Sequence, residues 1–471
     1  MRLFNTIILI TILLLNAMPV NAEKADHSQF DELKQAFKTG PEVTAACLQC
    51  HETSAKEIHK TMHWNWEVAG SDGKLGKKNV VNNFCVATDS NEPRCTSCHI
   101  GYGWKDNSFD FSSENHVDCL VCHDQTGEYK KFPTAAGHPA YEDKKFGKKT
   151  FKAVDLAKVA QSVGEPTRQN CGSCHFNGGG GEGVKHANMD GTLTNPAHSL
   201  DVHMDAEGLN FSCQECHVTK EHEIAGRQYN IASTISCESC HEGEIHKNKK
   251  LNAHIEKVSC QACHIPGMRG KPSKMWWDWS KAGKFKGDAK DKKNIIVKKR
   301  EDGKMIYHTK KGEFRWSEPN EIPDYYWYNG TTKYMTVDDK IDDSKPLDVN
   351  KLNGGDGDPQ SKLWPVKVHR GKQIYDPILK NMIIPKLFGP KGSGSYWTAY
   401  DWGKSAKAGM EYAGKEYSGE YNFIETAMYW PITHMVAPKK EALKCIACHK
   451  KDGRLSKLGD FSFKALKQKN K

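Results

Sequence analysis

The sequence is poor in aliphatic residues and in long apolar runs. Hydrophobic residues make up 37 % of its 471 positions, against about 45 to 50 % in an average globular domain. Beyond Leu15 no apolar stretch reaches the roughly 18 residues of a transmembrane helix, which excludes a polytopic membrane protein. Disorder is excluded as well, because the chain holds 12 Trp, 17 Phe and 16 Tyr. Something other than aliphatic side chains must fill an interior of two to four domains.

The first 22 residues predict export. Arg2 precedes the apolar run Ile7–Leu15, which is too short to span a bilayer and typical of a signal peptide. Val20-Asn21-Ala22 has the small residues that signal peptidase prefers. We therefore expect a mature chain from Glu23 in the periplasm, not embedded in the membrane; an uncleaved anchor is the alternative. Exported thiols oxidise, so the 17 cysteines must be disulfides, metal ligands or cofactor attachments.

One short motif, Cys-x-x-Cys-His, uses 16 of the 17 cysteines. Its eight copies, numbered one to eight along the chain, comprise Cys47, Cys50 and His51; Cys95, Cys98 and His99; Cys119, Cys122 and His123; Cys171, Cys174 and His175; Cys213, Cys216 and His217; Cys237, Cys240 and His241; Cys260, Cys263 and His264; and Cys445, Cys448 and His449.

This motif attaches c-type haem. The two thiols add across the porphyrin vinyl groups, and the adjacent histidine becomes the proximal iron ligand. A disulfide framework does not require a histidine after every pair, zinc ribbons lack that fixed histidine, and a thioredoxin-like site would occur once. The repetition predicts eight covalently bound haem c groups, with every motif histidine as an iron ligand.

Motif spacing divides the mature chain into three regions. Residues 23–264 carry seven motifs, about one in 31 residues, so haem must supply much of the core there. Residues 265–444 carry none but hold 9 of the 12 Trp and 12 of the 16 Tyr, and residues 445–471 carry the eighth motif and a basic tail. Alternation over 294–300, 305–309 and 313–316 predicts a small β-meander, and apolar spacing predicts helices over 27–38, 155–162 and 404–413. The expected fold is therefore mainly α, a loop-rich multihaem cytochrome c with a packed haem core.

The net charge of +10 does not require a nucleic-acid partner. Each ferric haem adds about one negative charge, because two propionates face one uncompensated iron charge, and each ferrous haem adds about two. The basic excess then compensates propionates, and we expect no nucleic acid among the partners.

Composition leaves the distal ligands undecided. Fourteen histidines lie outside the motifs, and imidazole on both faces gives a six-coordinate iron suited to electron transfer. Eight bis-histidine sites would need eight of the 14, whereas an enzyme would keep one iron with a weak or exchangeable ligand.

Several longer segments resemble the octahaem tetrathionate reductase family of periplasmic cytochromes, which is distantly related to hydroxylamine oxidoreductases and multihaem nitrite reductases. The resemblance covers nearly the whole mature chain. Its segments are Val81–Cys85, Asn91–Trp104, Cys171–Phe176, Gly178–Gly181, Gly183–His186, Leu200–Met204 and Met275–Trp279.

The resemblance implies seven bis-histidine haems and one active-site haem, the second, with a lysine as its distal ligand. Lys185, which follows the glycine run 178–181, is the best match, and a cluster of other lysines lies nearby in sequence at 144, 145, 148, 149 and 152. The glycines would let backbone approach a flat ring closely. The distal histidines expected on this basis are His63, His186, His203, His222, His246, His254 and His434.

The seventeenth cysteine, Cys85, has no protein partner and lies ten residues before the second motif. An odd cysteine in an exported protein indicates a reactive thiol or an intermolecular bond, and the alternative is an inert buried thiol. We expect Cys85 and Lys185 to be catalytic. A thiolate, favoured by the cationic Lys185, could attack the central S–S bond of tetrathionate, or Lys185 could leave the iron and hold the anion by charge.

The sequence therefore predicts a periplasmic octahaem reductase of small anions, tetrathionate first. Electrons would come from a donor cytochrome or a quinol-linked partner. Reduction or oxidation of nitrite or hydroxylamine at the same haem is one alternative, and a non-catalytic electron carrier is the other. A shared fold does not decide among them.

Overall fold

The computed structural model describes residues 25–70, 73–226, 235–287, 294–456 and 458. The expected signal peptide and most of the basic tail lie outside these residues. Within the described part, no helix combines the length and apolar character needed to cross a bilayer.

The helices are short, and each motif occupies about one helical turn. One turn brings the two thiols and the histidine to one side of the backbone, because residues three and four apart share a helix face. Side chains fix several helix starts: Asp155 and Asp401 cap two of them, and Thr167 with Asn170 forms a capping box at a third. The helices are α1 (Gly40–Cys47), α2 (Ser54–Ile58), α3 (Met62–Asn65), α4 (Glu92–Cys95), α5 (Leu120–His123), α6 (Leu156–Gln161), α7 (Arg168–His175), α8 (Lys249–His254), α9 (Cys260–His264), α10 (Tyr396–Ala399), α11 (Trp402–Tyr412) and α12 (Cys445–Cys448).

Most strands lie in the motif-free segment. They are β1 (Val68–Gly70), β2 (Gly73–Leu75), β3 (Lys144–Phe146), β4 (Lys149–Phe151), β5 (Thr219–Lys220), β6 (Glu223–Ile224), β7 (Lys274–Asp278), β8 (Val297–Lys299), β9 (Met305–His308), β10 (Gly312–Trp316), β11 (Asp324–Tyr328), β12 (Thr332–Tyr334), β13 (Leu347–Asp348), β14 (Asn350–Leu352), β15 (Lys362–Asp376), β16 (Asn381–Met382) and β17 (Asn422–Pro431).

A nine-stranded mixed sheet organises this segment around β15. Its main path is β13-β17-β15-β7-β10-β9-β8, and β11 and β16 also pair with β15. Strand β15 runs parallel to β7 and antiparallel to β17, and most of its residues are buried. Gly371 permits the parallel contact, because a Cβ there would collide with the carbonyl oxygen of Trp277.

The sheet is larger than the sequence predicts. The expected meander is present as β8, β9 and β10, but it forms one edge of nine strands. Helix and strand account for 24 % and 21 % of the residues, so "mainly α" describes the motif-bearing region alone. The excess of strand arises because β15 and β17 carry nearly continuous buried positions, a pattern that periodicity does not separate from a buried helix.

The loop before the second motif packs into the core of this sheet. Phe84 and Val86 belong to one buried cluster with Trp277, Trp279 and other residues of the motif-free segment. The amide of Val81 donates a hydrogen bond to the Met335 carbonyl at 2.9 Å. Residues 80–87, which include Cys85, are therefore held by the sheet.

His369 in β15 predicts an acid sensitivity of the fold. The residue is fully buried, neither ring nitrogen has a hydrogen-bond partner among the described residues, and burial holds its pKa well below the ordinary range. The folded protein keeps the ring neutral, whereas the unfolded chain takes up a proton near pH 6.5. Stability contributed by the neutral ring is thus complete above that pH and is lost as pH falls below it.

We expect His369→Leu to reduce the loss of stability between pH 7 and pH 5 by up to about 2 kcal/mol. Guanidinium unfolding of the two proteins at both pH values measures it. The matched control is His198→Leu, because the His198 side chain is 64 % exposed. An equal acid loss in wild type and His369→Leu would show that water or another group satisfies the ring.

Candidate functional site

A single connected cavity of about 5700 Å³ links all the motifs. All 17 cysteines line it, together with seven of the eight motif histidines. Shared among eight motifs, this space is about 710 Å³ each, within the range of about 300 to 1,000 Å³ for one ligand site. The volume fits a haem at every motif.

Seven motif histidines face a second histidine across the cavity. The ring centroids lie 5.9 to 6.5 Å apart. A metal ion held between two imidazole rings makes two metal–nitrogen bonds of about 2 Å, and each ring centre lies about 1.2 Å beyond its nitrogen. These lengths add up to close to the observed spacing. The residues therefore fit an iron between each pair. The pairs are His51 with His27, His123 with His222, His175 with His63, His217 with His434, His241 with His203, His264 with His246, and His449 with His254.

Six of the seven expected distal histidines lie in these pairs. The seventh, His186, does not, and His27 takes the remaining place. His27, absent from the sequence-based set, lies opposite His51. His186 packs against Trp430 with ring centroids 4.9 Å apart and faces no motif histidine in the pairs seen in the described chain. The cause is the N-terminal segment, whose Leu33 packs beside Val43 and Ala46 and so brings His27 over the first motif. No spacing rule predicts this contact.

The second motif departs from the other seven. The His99 Nε2 lies 2.7 Å from the carbonyl oxygen of Trp64, and its Nδ1 is buried without a partner in the described chain. Burial lowers the pKa of His99 to about 3, so the ring is neutral and Nε2–H donates this bond. Five aromatic rings surround it: Trp64, Trp66, Trp104, Phe109 and Phe111.

The expectation that His99 is a proximal ligand is therefore corrected. Alone among the motif histidines, it does not line the cavity. The physical reason is the aromatic cage, which holds the ring away from the cavity, together with the extended backbone of His99, which ends the helical turn. The sequence gives one signal, because Trp64, Trp66 and Trp104 are the only tryptophans before residue 276.

The Cys85 thiol lies beside this second motif. Both Cys85 and Cys95 line the cavity, and burial raises the pKa of Cys95 to about 12, with the nearby Cys85 adding to the rise. The loop is fixed by Asn82, whose side-chain oxygen accepts hydrogen bonds from the Phe84 and Cys85 amides at 2.9 and 3.0 Å. From the turn that follows β7, Trp279 Nε1 donates to the Phe84 carbonyl at 2.7 Å.

Electrostatics at Cys85 differ from the expectation. Four cations act on the thiol, namely Lys311, Arg94, Lys274 and Lys77, but burial outweighs them and raises its pKa. The predicted thiolate character is therefore opposed by desolvation, and Lys185 is not among the cations that act most strongly.

Lys185 lies in the cavity wall beside Trp430. Its Nζ is 4.6 Å from the Trp430 ring centroid, and burial lowers its pKa to about 8, with Lys77 adding to the effect. The turn before it needs Gly183, which has a φ of +70° and whose Cβ would lie 2.7 Å from the Pro272 carbonyl oxygen. The alternative lysines at 144–152 are exposed on or beside the β3–β4 hairpin and do not line the cavity.

Comparison with known proteins gives the family. Residues 274–452 match the family described as "Cytochrome c bacterial", and residues 46–124 match "Cytochrome c554 and c-prime". No curated protein matches. The crystal structure of octahaem cytochrome c from Shewanella oneidensis is 44 % identical, with 95 % of this chain and 99 % of that chain covered and a TM-score of 0.83. The chain belongs to the octahaem cytochrome c family. It is a multihaem c-type cytochrome with covalently bound haem c.

Contacts among motif thiols give the order of the sites in this cytochrome. Neighbouring thiols bond to or act electrostatically on one another, and in the mature protein they become thioethers to adjacent haems. The order is first, third, fourth, fifth, sixth, seventh and eighth, and the second motif lies beside the fourth. The contacts are Cys47 with Cys119, Cys122 with Cys171, Cys171 with Cys213, Cys216 with Cys240, Cys237 with Cys260, Cys263 with Cys448, and Cys98 with Cys174.

Lys367 of β15 positions the Lys185 backbone. The side chain is fully buried, and its Nζ donates to the carbonyls of Gly183, Val184 and Lys185 at 3.3, 2.7 and 3.2 Å. These three acceptors match the three donors of an ammonium group. We expect Lys367→Met to leave carbonyls unpaired, at about 1 to 3 kcal/mol each, and to loosen the Lys185 turn.

The effects of Lys367→Met on activity and on the haem spectrum should be confined to the second site. Turnover should fall about ten-fold, since small misplacements at a site are costly, and the optical or EPR signal of the second haem should broaden while the others stay unchanged. Lys367→Arg should restore part of both. Changes spread over all the haem signals would indicate a general structural defect instead.

Proposed function

We propose that this cytochrome reduces tetrathionate to thiosulfate at the second motif, in the periplasm. The observation that carries the proposal is the withdrawal of His99 from the cavity at the one motif where a spare thiol, Cys85, lies near an attachment cysteine, Cys95. A site built only for electron transfer would have imidazole on both faces, as the other seven pairs have.

At this motif Cys95 and Cys98 would hold the haem as thioethers, and Lys185 would provide a nitrogen ligand. When bound, haem c would supply one-electron redox chemistry and, with His99 turned away, would be open to a small ligand. Lys185 suits the ligand role because burial already favours its neutral amine. The seven histidine pairs would hold the remaining haems, for eight in total.

Cys85 would carry the sulfur chemistry. Its thiolate attacks one inner sulfur of tetrathionate, S₄O₆²⁻; a bond forms from Cys85 Sγ to that sulfur, the central S–S bond breaks, and thiosulfate, S₂O₃²⁻, leaves. Two electrons from the external donor protein then cleave the resulting Cys85–S–SO₃⁻ adduct at its Sγ–S bond. That cleavage returns the thiolate and releases a second thiosulfate.

The charges around the site favour an anion of this kind. Lys77 and Arg94 line the cavity near Cys85, and the Arg94 guanidinium lies 5.3 Å from the Trp397 ring centroid. Lys131 also lines the cavity, but Asp118 neutralises it at 3.0 Å. Fixed cations at a low-dielectric wall attract a dianion more strongly than a neutral molecule such as hydroxylamine.

The seven histidine pairs would deliver the electrons, collected from a donor cytochrome or a quinol-linked partner. The thiol contacts support a continuous route, since each motif lies beside the next and the second joins at the fourth.

Two measurements test the proposal. The first compares kcat/KM for tetrathionate, nitrite and hydroxylamine with one small reductant. We expect the highest kcat/KM for tetrathionate. A clearly higher value for nitrite or hydroxylamine would make that compound the substrate instead. The second is EPR with magnetic circular dichroism. Seven bis-histidine centres and one amine-ligated or high-spin centre are expected, whereas eight equivalent bis-histidine centres would make the protein an electron carrier.

A further inference from the structure

We propose that electrons enter at the eighth motif from an acidic redox protein, which docks on a collar of exposed lysines. The collar comprises Lys439, Lys440, Lys444, Lys450 and Lys451, all exposed. The inference rests on the electron-transfer part of the proposed function and not on the identity of the substrate.

The collar is a local excess of positive charge. Residues 439–454 hold six basic and two acidic residues, a net charge of +4. One of the two acids, Glu441, is already paired with Arg269 at 2.9 Å. No acidic partner for any of the five collar lysines occurs within the described residues. Lys439 and Lys444 also line the cavity, whereas Lys440, Lys450 and Lys451 do not, so these three charges are available to a partner.

The collar lysines flank an exposed apolar residue along the chain. Ile446 lies between the two attachment cysteines, and its side chain is 64 % exposed, among the highest values for a large apolar residue in the described chain. Helix α8 adds Lys249 and Lys250, both exposed, and its His254 faces His449 of the eighth motif. An apolar centre with a charged rim is the usual anatomy of a protein interface, and small interfaces are typical of electron-transfer encounters.

The position in the route gives the collar its purpose. The eighth motif lies at one end of the order of sites, because its thiols act on Cys263 of the seventh motif. Around the first motif, at the opposite end of the order, the net charge is negative. Residues 26–60 hold six acidic and four basic residues. An acidic donor would be attracted to the eighth motif and repelled from the first.

Stopped-flow reduction of the intact holocytochrome tests the proposal, with a reduced flavodoxin of strongly acidic pI as the probe and no tetrathionate present. The test variant is Lys440→Glu/Lys450→Glu/Lys451→Glu, three collar lysines that do not line the cavity. The matched control, with the same charge change near the first motif, is Lys38→Glu/Lys56→Glu/Lys60→Glu. A small neutral hydroquinone serves as a reductant that needs no docking surface.

At low salt the collar variant should accept electrons from flavodoxin at least about ten-fold more slowly than wild type, and the control variant should be slowed far less. Added salt should slow wild type and narrow the difference, because the Debye length falls from about 30 Å at 0.01 M to about 8 Å at 0.15 M. Reduction by hydroquinone should be the same in all three proteins.

Two results would overturn the proposal. If flavodoxin reduces both variants equally slowly, net charge, and not the collar, controls the encounter. If reduction of the collar variant by hydroquinone is slowed as much as its reduction by flavodoxin, the lysines balance haem propionates. Because the readout is haem reduction alone, failure of tetrathionate turnover would leave these outcomes unchanged.

Discussion

Lys185→Ala is expected to lower kcat for tetrathionate at least about 100-fold, the scale seen when one preorganised group of an active site is removed. With His99 engaged by the Trp64 carbonyl, Lys185 would be the only protein ligand at the second site. Its loss should convert that centre to a water-ligated, high-spin state while the seven histidine pairs keep their low-spin signals. Steady-state assays and magnetic circular dichroism measure the two effects.

Lys149→Ala is the matched control, because Lys149 is an exposed residue of the β3–β4 hairpin and one of the lysines that the sequence alone leaves as alternatives. It should retain wild-type kcat and spectra. If Lys185→Ala keeps wild-type activity and an unchanged second-site spectrum, the axial role belongs to another residue, and the reductase mechanism loses its starting point.

Cys85→Ala is expected to have the second largest effect, a fall in kcat for tetrathionate of about 100-fold or more, because the nucleophile that breaks the central S–S bond would be gone. Cys85→Ser should be equally inactive, since an alcohol does not undergo thiol–disulfide exchange. Folding should be little affected, because Cys85 is a partly buried residue packed against the edge of the buried cluster.

The pH dependence of kcat provides a further test of the Cys85 thiolate. Burial raises the pKa of the thiol above the ordinary range for cysteine, so only a small thiolate fraction exists near neutral pH. Wild-type kcat for tetrathionate should therefore rise with pH, by up to about ten-fold per pH unit below that pKa. The residual activity of Cys85→Ala should lack this rise.

Nitrite serves as the internal control for Cys85, because its reduction needs the open coordination position and no thiol. Cys85→Ala should keep its nitrite activity within about two-fold of wild type. Equal losses on nitrite and tetrathionate would assign Cys85 a structural role, and full tetrathionate activity would exclude the exchange chemistry.

The sequence predicts those features of the site that depend on local spacing. Eight helical turns carry the motifs, and six of the seven expected histidines lie opposite a motif histidine, because tightly spaced motifs leave few other partners. The helix expected at 155–162 is present as α6, and that at 404–413 as α11. Their apolar faces and aspartate caps are local features.

The sequence does not predict what depends on distant contacts. A helix expected at 27–38 is replaced by two short 3₁₀ turns, and His27 reaches His51 only because Leu33 packs onto α1 and α6 residues. The turning of His99 depends on aromatic residues up to 35 positions away. Likewise, Lys367 supports Lys185 from 182 positions away, so neither local pattern nor composition indicates it.

The junction at the fourth motif would limit how fast the proposed reductase can work. An attachment thiol of the second motif contacts one of the fourth, so under the proposed function electrons bound for the second site would make their last hop there. A reaction that consumes two electrons would use this hop twice per turnover. The other sites would hold charge in reserve, but the ceiling on turnover would be set by this one pair of neighbours, whichever end of the molecule is charged first.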